Sequence, residues 1–158
     1  MAKILPILHE PNPFLRQTMK PVANPTAPEI QELIENMVVT MRKANGIGLA
    51  ATQVGFDGRV IVIETKNGPL VCINPEITKR SESIEKGEEG CLSVPGTFGF
   101  VPRHKRVLVR SLTATGQEQV HDAQGLLARV FQHEIDHLNG IVFIDKVEDF
   151  SNVEAPAI

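Results

Sequence analysis

The sequence predicts an α+β fold in a single domain. Apolar residues with helical spacing occupy 28–44, and a second helical segment covers 126–138. Between them lie four short runs of strand character, separated by Gly, Pro and Asn turns. The chain has 158 residues, an ordinary size for one domain with a core of its own.

The elements follow in order. Asn12-Pro13 predicts a short helix, with Asn as the cap and Pro in the first turn. In 28–44, Ile30, Leu33, Ile34, Met37, Val38 and Met41 form one apolar stripe, which reads as core packing. Asn45-Gly46 stops this helix. Strands are expected at 60–64, 70–74, 106–112 and 117–121. Gly125 precedes the second helix. No internal repeat, linker or low-complexity stretch interrupts the chain.

Composition narrows the function classes. A net charge of -3 argues against nucleic-acid binding, which favours a basic surface. No apolar run approaches membrane-spanning length, so no membrane partner is expected. Two cysteines leave no disulfide framework. The N-terminus shows neither a signal-type apolar stretch nor an Arg/Ser-rich transit segment. The expected location is the cytoplasm, or an organelle where a targeting segment has been removed.

The second helix carries the chemistry. His133, Glu134, Ile135, Asp136 and His137 spell His-Glu-x-x-His. Residues four apart share a helix face, so His133 and His137 reach one metal ion together. Glu134 then stands beside the ion, where a proton acceptor for an activated water is needed. The alternative is a solvated helix face with two unrelated histidines.

Two histidines are half of a tetrahedral site. In the longer pattern His-Glu-x-x-His-x-x-Gly-x-x-His, Gly140 fits but Phe143 stands at the third ligand position, and a phenyl ring binds no metal. Glu148 and Glu154 fall in a short segment with Pro156, so the third ligand is expected upstream. The best donor there is Cys91, in Glu89-Gly90-Cys91-Leu92-Ser93, because a thiolate partners two imidazoles well. Pro95 and Gly96 mark a turn after it. Cys72, in an apolar run, reads as a small buried hydrophobe.

With Gly46-Ile47-Gly48-Leu49-Ala50-Ala51-Thr52-Gln53, Glu89-Gly90-Cys91-Leu92-Ser93 and Gln132-His133-Glu134-Ile135-Asp136-His137, the chain resembles the peptide deformylases. All three motifs match in order and with similar spacing, and the likeness runs from about residue 4 to about residue 147. It implies a catalytic domain over 1–147, followed by a short acidic tail at 148–158. The implied fold has mostly antiparallel β-sheets around a central metal-binding helix. The implied reaction removes the N-formyl group from the N-terminal methionine of newly made proteins, releasing formate. The metal would be Fe²⁺, with Zn²⁺, Ni²⁺ and Co²⁺ as alternatives that the Cys91, His133, His137 donor set also suits.

The resemblance extends to the substrate contacts. Gln53 through its side-chain amide and Leu92 through its backbone N–H would meet the oxyanion. Gly46 and Gly48 would lie along the bound peptide, paired with it as an added strand. Ile47, Leu126 and Val130 would line the pocket for the first side chain; plain core packing is the alternative for all three. Glu89 and Arg103 occupy positions that pair in the family. His9, His104 and His121 are expected at the surface, Asp136 either orients a ligand or faces solvent, and Arg129 carries no functional reading. Many deformylases continue into a long C-terminal helix, basic in some, that docks on the ribosome. Here 148–158 is acidic and contains Pro156, so any transient ribosome contact is expected to use another surface.

Two rival classes remain at this stage. A metalloendopeptidase shares the water-activating helix but needs another third ligand. A non-catalytic metal module would close the fourth position, and no fourth ligand stands near Cys91.

Overall fold

A computed structural model describes residues 1–155 and 157–158. The chain opens with an irregular segment and a single 3-10 turn at Pro13–Arg16, capped by Asn12, whose Oδ1 accepts from Phe14 N–H at 2.9 Å. Helix α1 spans Pro28–Lys43. Its end is set by Asn45, which takes a left-handed conformation (φ 58°). Gly46 N–H then reaches back to Met41 C=O and Asn45 N–H to Arg42 C=O, closing the helix in a Schellman arrangement.

Strands β1 (Gly48–Ala50), β2 (Val60–Thr65), β3 (Gly68–Arg80), β6 (Arg106–Leu112) and β7 (Glu118–Gln124) form one sheet in the order β1-β2-β3-β6-β7. Strands β4 (Ile84–Cys91), β5 (Val94–His104) and β8 (Asp149–Ser151) form a second, ordered β4-β5-β8. Every ladder in both sheets is antiparallel. Helix α2, Gly125–Leu138, follows β7 directly. No helix among the described residues is long and apolar enough to cross a membrane.

The alternation of β2 explains how the core is layered. Val60 and Val62 pack with the α1 stripe of Ile30, Leu33, Ile34, Met37 and Met41. Ile61 and Ile63 point the other way and join Ala128, Val130, Phe131, Ile135 and Leu138 of α2. The five-stranded sheet is thus covered by one helix on each face. That is why β2 reads as an unbroken apolar run rather than as an alternating one. Most of α2 is buried, since the second sheet flanks its remaining side through β5.

The expected helices and the four expected strands are present. The β3 strand continues six residues past the predicted 70–74, and β7 ends at Gln124 rather than His121. Strands β1, β4, β5 and β8 were not apparent from the sequence pattern. His9 is exposed as expected, but His104 and His121 are half-buried. His104 Nδ1 lies 2.7 Å from Ser81 C=O, and the His121 ring centroid is 5.8 Å from that of Phe131. Residues 149–151 and 157–158 pack onto the body: β8 extends the second sheet, and Ile158 lies in the core beside α2.

Candidate active site

Three separate stretches of chain meet at the buried face of α2. The first is β1 with the 3-10 turn Ala51–Val54 that follows it. The second is the end of β4 and the reversal into β5, where Cys91 pairs with Val94 and the ladder is irregular between Glu89 and Cys91. The third is the turn of α2 that carries His133, Glu134 and His137. The irregular backbone near the chain start ties the first two together, with Leu8 N–H donating to Gln53 C=O and Glu10 N–H to Ser93 C=O.

Cys91, His133 and His137 are all buried, and one ligand atom from each lies within 4.8 Å of the others. The Cys91 Sγ is 3.3 Å from His137 Nε2. His133 Nδ1 lies 2.7 Å from Glu89 Oε1, which makes Nδ1 the protonated nitrogen and leaves Nε2 with its lone pair. Within this cluster His133 Nε2, His137 Nδ1 and both carboxylate oxygens of Glu134 are buried without a hydrogen-bond partner among the described residues. Buried polar atoms normally find partners. Unpartnered donors of this type beside a buried thiol fit a divalent cation with an exchangeable water next to Glu134.

The electrostatics point the same way. Burial pushes the Cys91 thiol well above its ordinary range, and the neighbouring Glu134 charge adds to this. Burial likewise raises Glu134, with Glu89 contributing. Burial lowers His137, and the nearby positive charge of Arg103 acts in the same direction. Without a cation, the pocket therefore disfavours both anions. A divalent ion reverses that balance and deprotonates a coordinating thiol.

Behind the ligands sits a charge cluster centred on Glu89. Arg103 holds it through two bonds of 2.9 Å, and Arg129 donates to its Oε2 at 2.7 Å. Burial alone would raise the Glu89 pKa, but His133 and Arg103 together outweigh burial and hold the carboxylate well below its usual range. Arg103 also reaches Asp136 at 2.6 Å, and Asp136 in turn meets Lys146 at 2.9 Å. The Glu89–Arg103 pairing was expected. The bond from Glu89 to His133 and the clamp by Arg129 were not, because they join residues 44 and 40 positions apart. Arg129 is further fixed by the carbonyls of Glu85 and Val101, so it cross-links α2 to both strands of the hairpin.

The Gln53 amide is oriented by the backbone. Ala50 N–H donates to its Oε1 at 2.9 Å, so Nε2 must be the atom that faces Ser93 Oγ at 3.1 Å and Cys91 Sγ at 3.6 Å. Leu92 follows Cys91 in the chain and is half-buried. Gly48 passes directly over the helix: a Cβ there would stand 3.0 Å from Glu134 Oε2 and 3.0 Å from Val130 Cγ1. Only glycine lets β1 run this close to the carboxylate. At Gly46 a Cβ would meet the Leu92 side chain at 2.7 Å. Val130 is buried and Ile47 packs against the same cluster, whereas Leu126, in the first turn of α2, is 57% exposed.

A helix-borne His-Glu-x-x-His completed by a strand cysteine is the donor set of a metal-dependent hydrolase class. Comparison with known proteins narrows this. The polypeptide deformylase family model matches residues 4–153. The peptide deformylase of Carboxydothermus hydrogenoformans is 51% identical over 138 residues, covering 87% of this chain and 90% of that protein. The peptide deformylase of Halothermothrix orenii is 52% identical, covering 86% and 88%. Among solved structures, a class I type b peptide deformylase from Acinetobacter baumannii superposes with a TM-score of 0.89 at 37% identity, covering 92% of this chain and all of that one. A Synechococcus elongatus peptide deformylase in complex with actinonin gives 0.89 at 43% identity, covering 94% and 82%. The chain belongs to the polypeptide deformylase family and is an enzyme of that family.

Proposed function

We propose that Cys91, His133 and His137 hold one divalent metal ion, Fe²⁺ in the native enzyme, and that Glu134, Gln53 and Leu92 act on the substrate beside it. Zn²⁺, Ni²⁺ and Co²⁺ suit the same donors. The reaction is hydrolysis of the N-formyl group from the N-terminal methionine of newly synthesised proteins, giving formate and a free amine. The observation that carries this reading is the Glu134 carboxylate, fully buried between the ligand histidines with neither oxygen partnered.

The ion, when bound, polarises water and lowers its pKa towards neutrality. Glu134 accepts the proton lost as water attacks the formyl carbon. Its pKa, raised by burial, suits a group that must both take a proton and return it. The carbonyl oxygen gains negative charge during attack. The Gln53 Nε2 amide and the Leu92 backbone N–H are the donors aimed at that charge, and losing one such donor costs about 3–4 kcal/mol in the transition state. The C–N bond then breaks, formate departs, and Glu134 delivers its proton to the leaving nitrogen. Glu89 fixes the His133 ring throughout, so its Nε2 stays directed into the site.

The segment from Gly46 to Gly48, at the start of β1 and on the side away from β2, suits strand-like pairing with the peptide. Val130 and Ile47 form the apolar wall for the methionine side chain, with Leu126 at the rim. The substrates are nascent chains, which suits an enzyme of the cytoplasm, or of an organelle, where transient ribosome contact would bring the cleft to them.

Glu134→Gln tests the assignment. Glutamine keeps the size and removes the proton acceptor. The variant is expected to retain stoichiometric metal and lose about 100- to 10,000-fold in kcat. Near-wild-type formate release by the metal-loaded variant would reject the role.

A further inference from the structure

The cleft assigned to substrate is already filled by the chain itself. Ile47 N–H, just before β1, donates to Ala157 C=O at 3.0 Å. Ile158 N–H donates to Gly90 C=O at 3.1 Å, and Ala157 pairs with Gly90 in a parallel bridge. The Ile158 side chain is 1% exposed and lies in the cluster that contains Val130, against which Ile47 packs. A strand-like segment with a branched apolar side chain thus bridges β1 to the residue just before Cys91. These are the backbone groups and the apolar wall that an incoming peptide needs.

We propose that residues 157–158 are an intramolecular competitor for the substrate cleft, seated in the free enzyme and displaced by the formylated peptide. The inference rests on the deformylase reading above. The anchor on one side is β8, held by pairing of Phe98, Gly99 and Phe100 with Ser151, Phe150 and Asp149. Between that anchor and Ala157, the described hydrogen bonds are the local ones joining Ser151 and Val153 and the bond from Ser151 Oγ to Glu88 Oε2 at 3.0 Å, which belongs to the β8 anchor. Residues 152–154 are exposed and Ala155 is buried; the seated dipeptide can therefore leave the cleft without dismantling β8. Its occupancy lowers the fraction of enzyme open to substrate. By mass action it raises the apparent KM by the inverse of that fraction and leaves kcat unchanged.

The test compares the wild type with Ile158→Asp and Ile158→Met, using formyl-Met-Ala-Ser as substrate. A carboxylate does not remain in an apolar wall, so Ile158→Asp is expected to lower KM at least about fivefold with kcat unchanged. Ile158→Met keeps an apolar side chain and should behave like the wild type. Amide exchange at Ile47 is the second readout: slow in the wild type without peptide, and faster in Ile158→Asp. Turnover with equal KM in wild type and Ile158→Asp, or a higher KM in Ile158→Asp, overturns the proposal alone. Equal Ile47 exchange in the two proteins overturns it as well. Absence of formate release from all three metal-loaded proteins removes the deformylase reading, and the proposal with it.

Discussion

At the scale of single residues, Cys91 has the most to gain from a cation. Burial and the Glu134 charge hold its thiol protonated in the metal-free pocket. A cation converts the same burial into an advantage, because a dry site strengthens each bond to the ion. Cys72 is the contrast. It is also buried, with its thiol pushed up to about 11 chiefly by burial, but it sits in the apolar core with Gln119 Nε2 at 3.8 Å, and it belongs to no metal-ligating group among the described residues. We expect Cys91→Ala to lose stoichiometric metal on dialysis while Cys72→Ala retains it, read by elemental analysis. Metal retained by Cys91→Ala would show that the ligand set is wrong. The convergence of His133 and His137 was legible from spacing alone, since i and i+4 on a helix decide which side chains share a face. Gln53 was legible only through the motif around it. Its orientation depends on one backbone N–H, that of Ala50, which no sequence pattern reports.

At the scale of elements, the β4–β5 hairpin shows why part of the fold was hidden. β4 reads Ile-Glu-Lys-Gly-Glu-Glu-Gly-Cys, with little strand propensity and no clean alternation. β5 contains Pro95, Gly96, Gly99 and Pro102, which read as turns. Their pairing is set by tertiary contacts instead: Arg129 of α2 reaches the carbonyls of both strands. β8 covers only Phe98–Phe100, so neither proline is flanked by neighbours on both sides. The helices and β2 were legible because their patterns match their burial directly.

Glu89 is where this hairpin meets α2. Its pKa is depressed in the folded state, so it contributes stability that is present above the ordinary carboxylate pKa. That stability is lost as pH falls below that range towards the folded value. Removing the charge leaves Arg103 buried beside a neutral group. Glu89→Gln is expected to cost about 3–5 kcal/mol at pH 7 and to flatten the acid limb of the stability profile. An equal fall in chemical-denaturation midpoint from pH 7 to pH 2 in wild type and variant would contradict the electrostatic account of this junction.

At the scale of the whole molecule, one sheet separates two helices with different tasks. α1 closes one face and carries a stripe that is core and nothing else. α2 closes the other face, and its polar turn is pressed into the space between the sheets. The three segments that build the site, 46–53, 89–93 and 132–137, become neighbours only when both sheets are in place. In the proposed assignment, the acyl end of a substrate fits between Gln53, Leu92 and Cys91. A formyl group presents only hydrogen on the far side of its carbonyl, whereas an acetyl group presents a methyl. A displacement of about 1 Å from the attack position costs about 100-fold in rate. The most direct test is therefore kcat/KM of the metal-loaded enzyme for formyl-Met-Ala-Ser against acetyl-Met-Ala-Ser, followed by release of the acid product. The expected result is a preference for the formyl peptide of at least about 100-fold, abolished by chelation, whereas comparable values for the two peptides would contradict a formyl-specific hydrolase and point to a broader amidase.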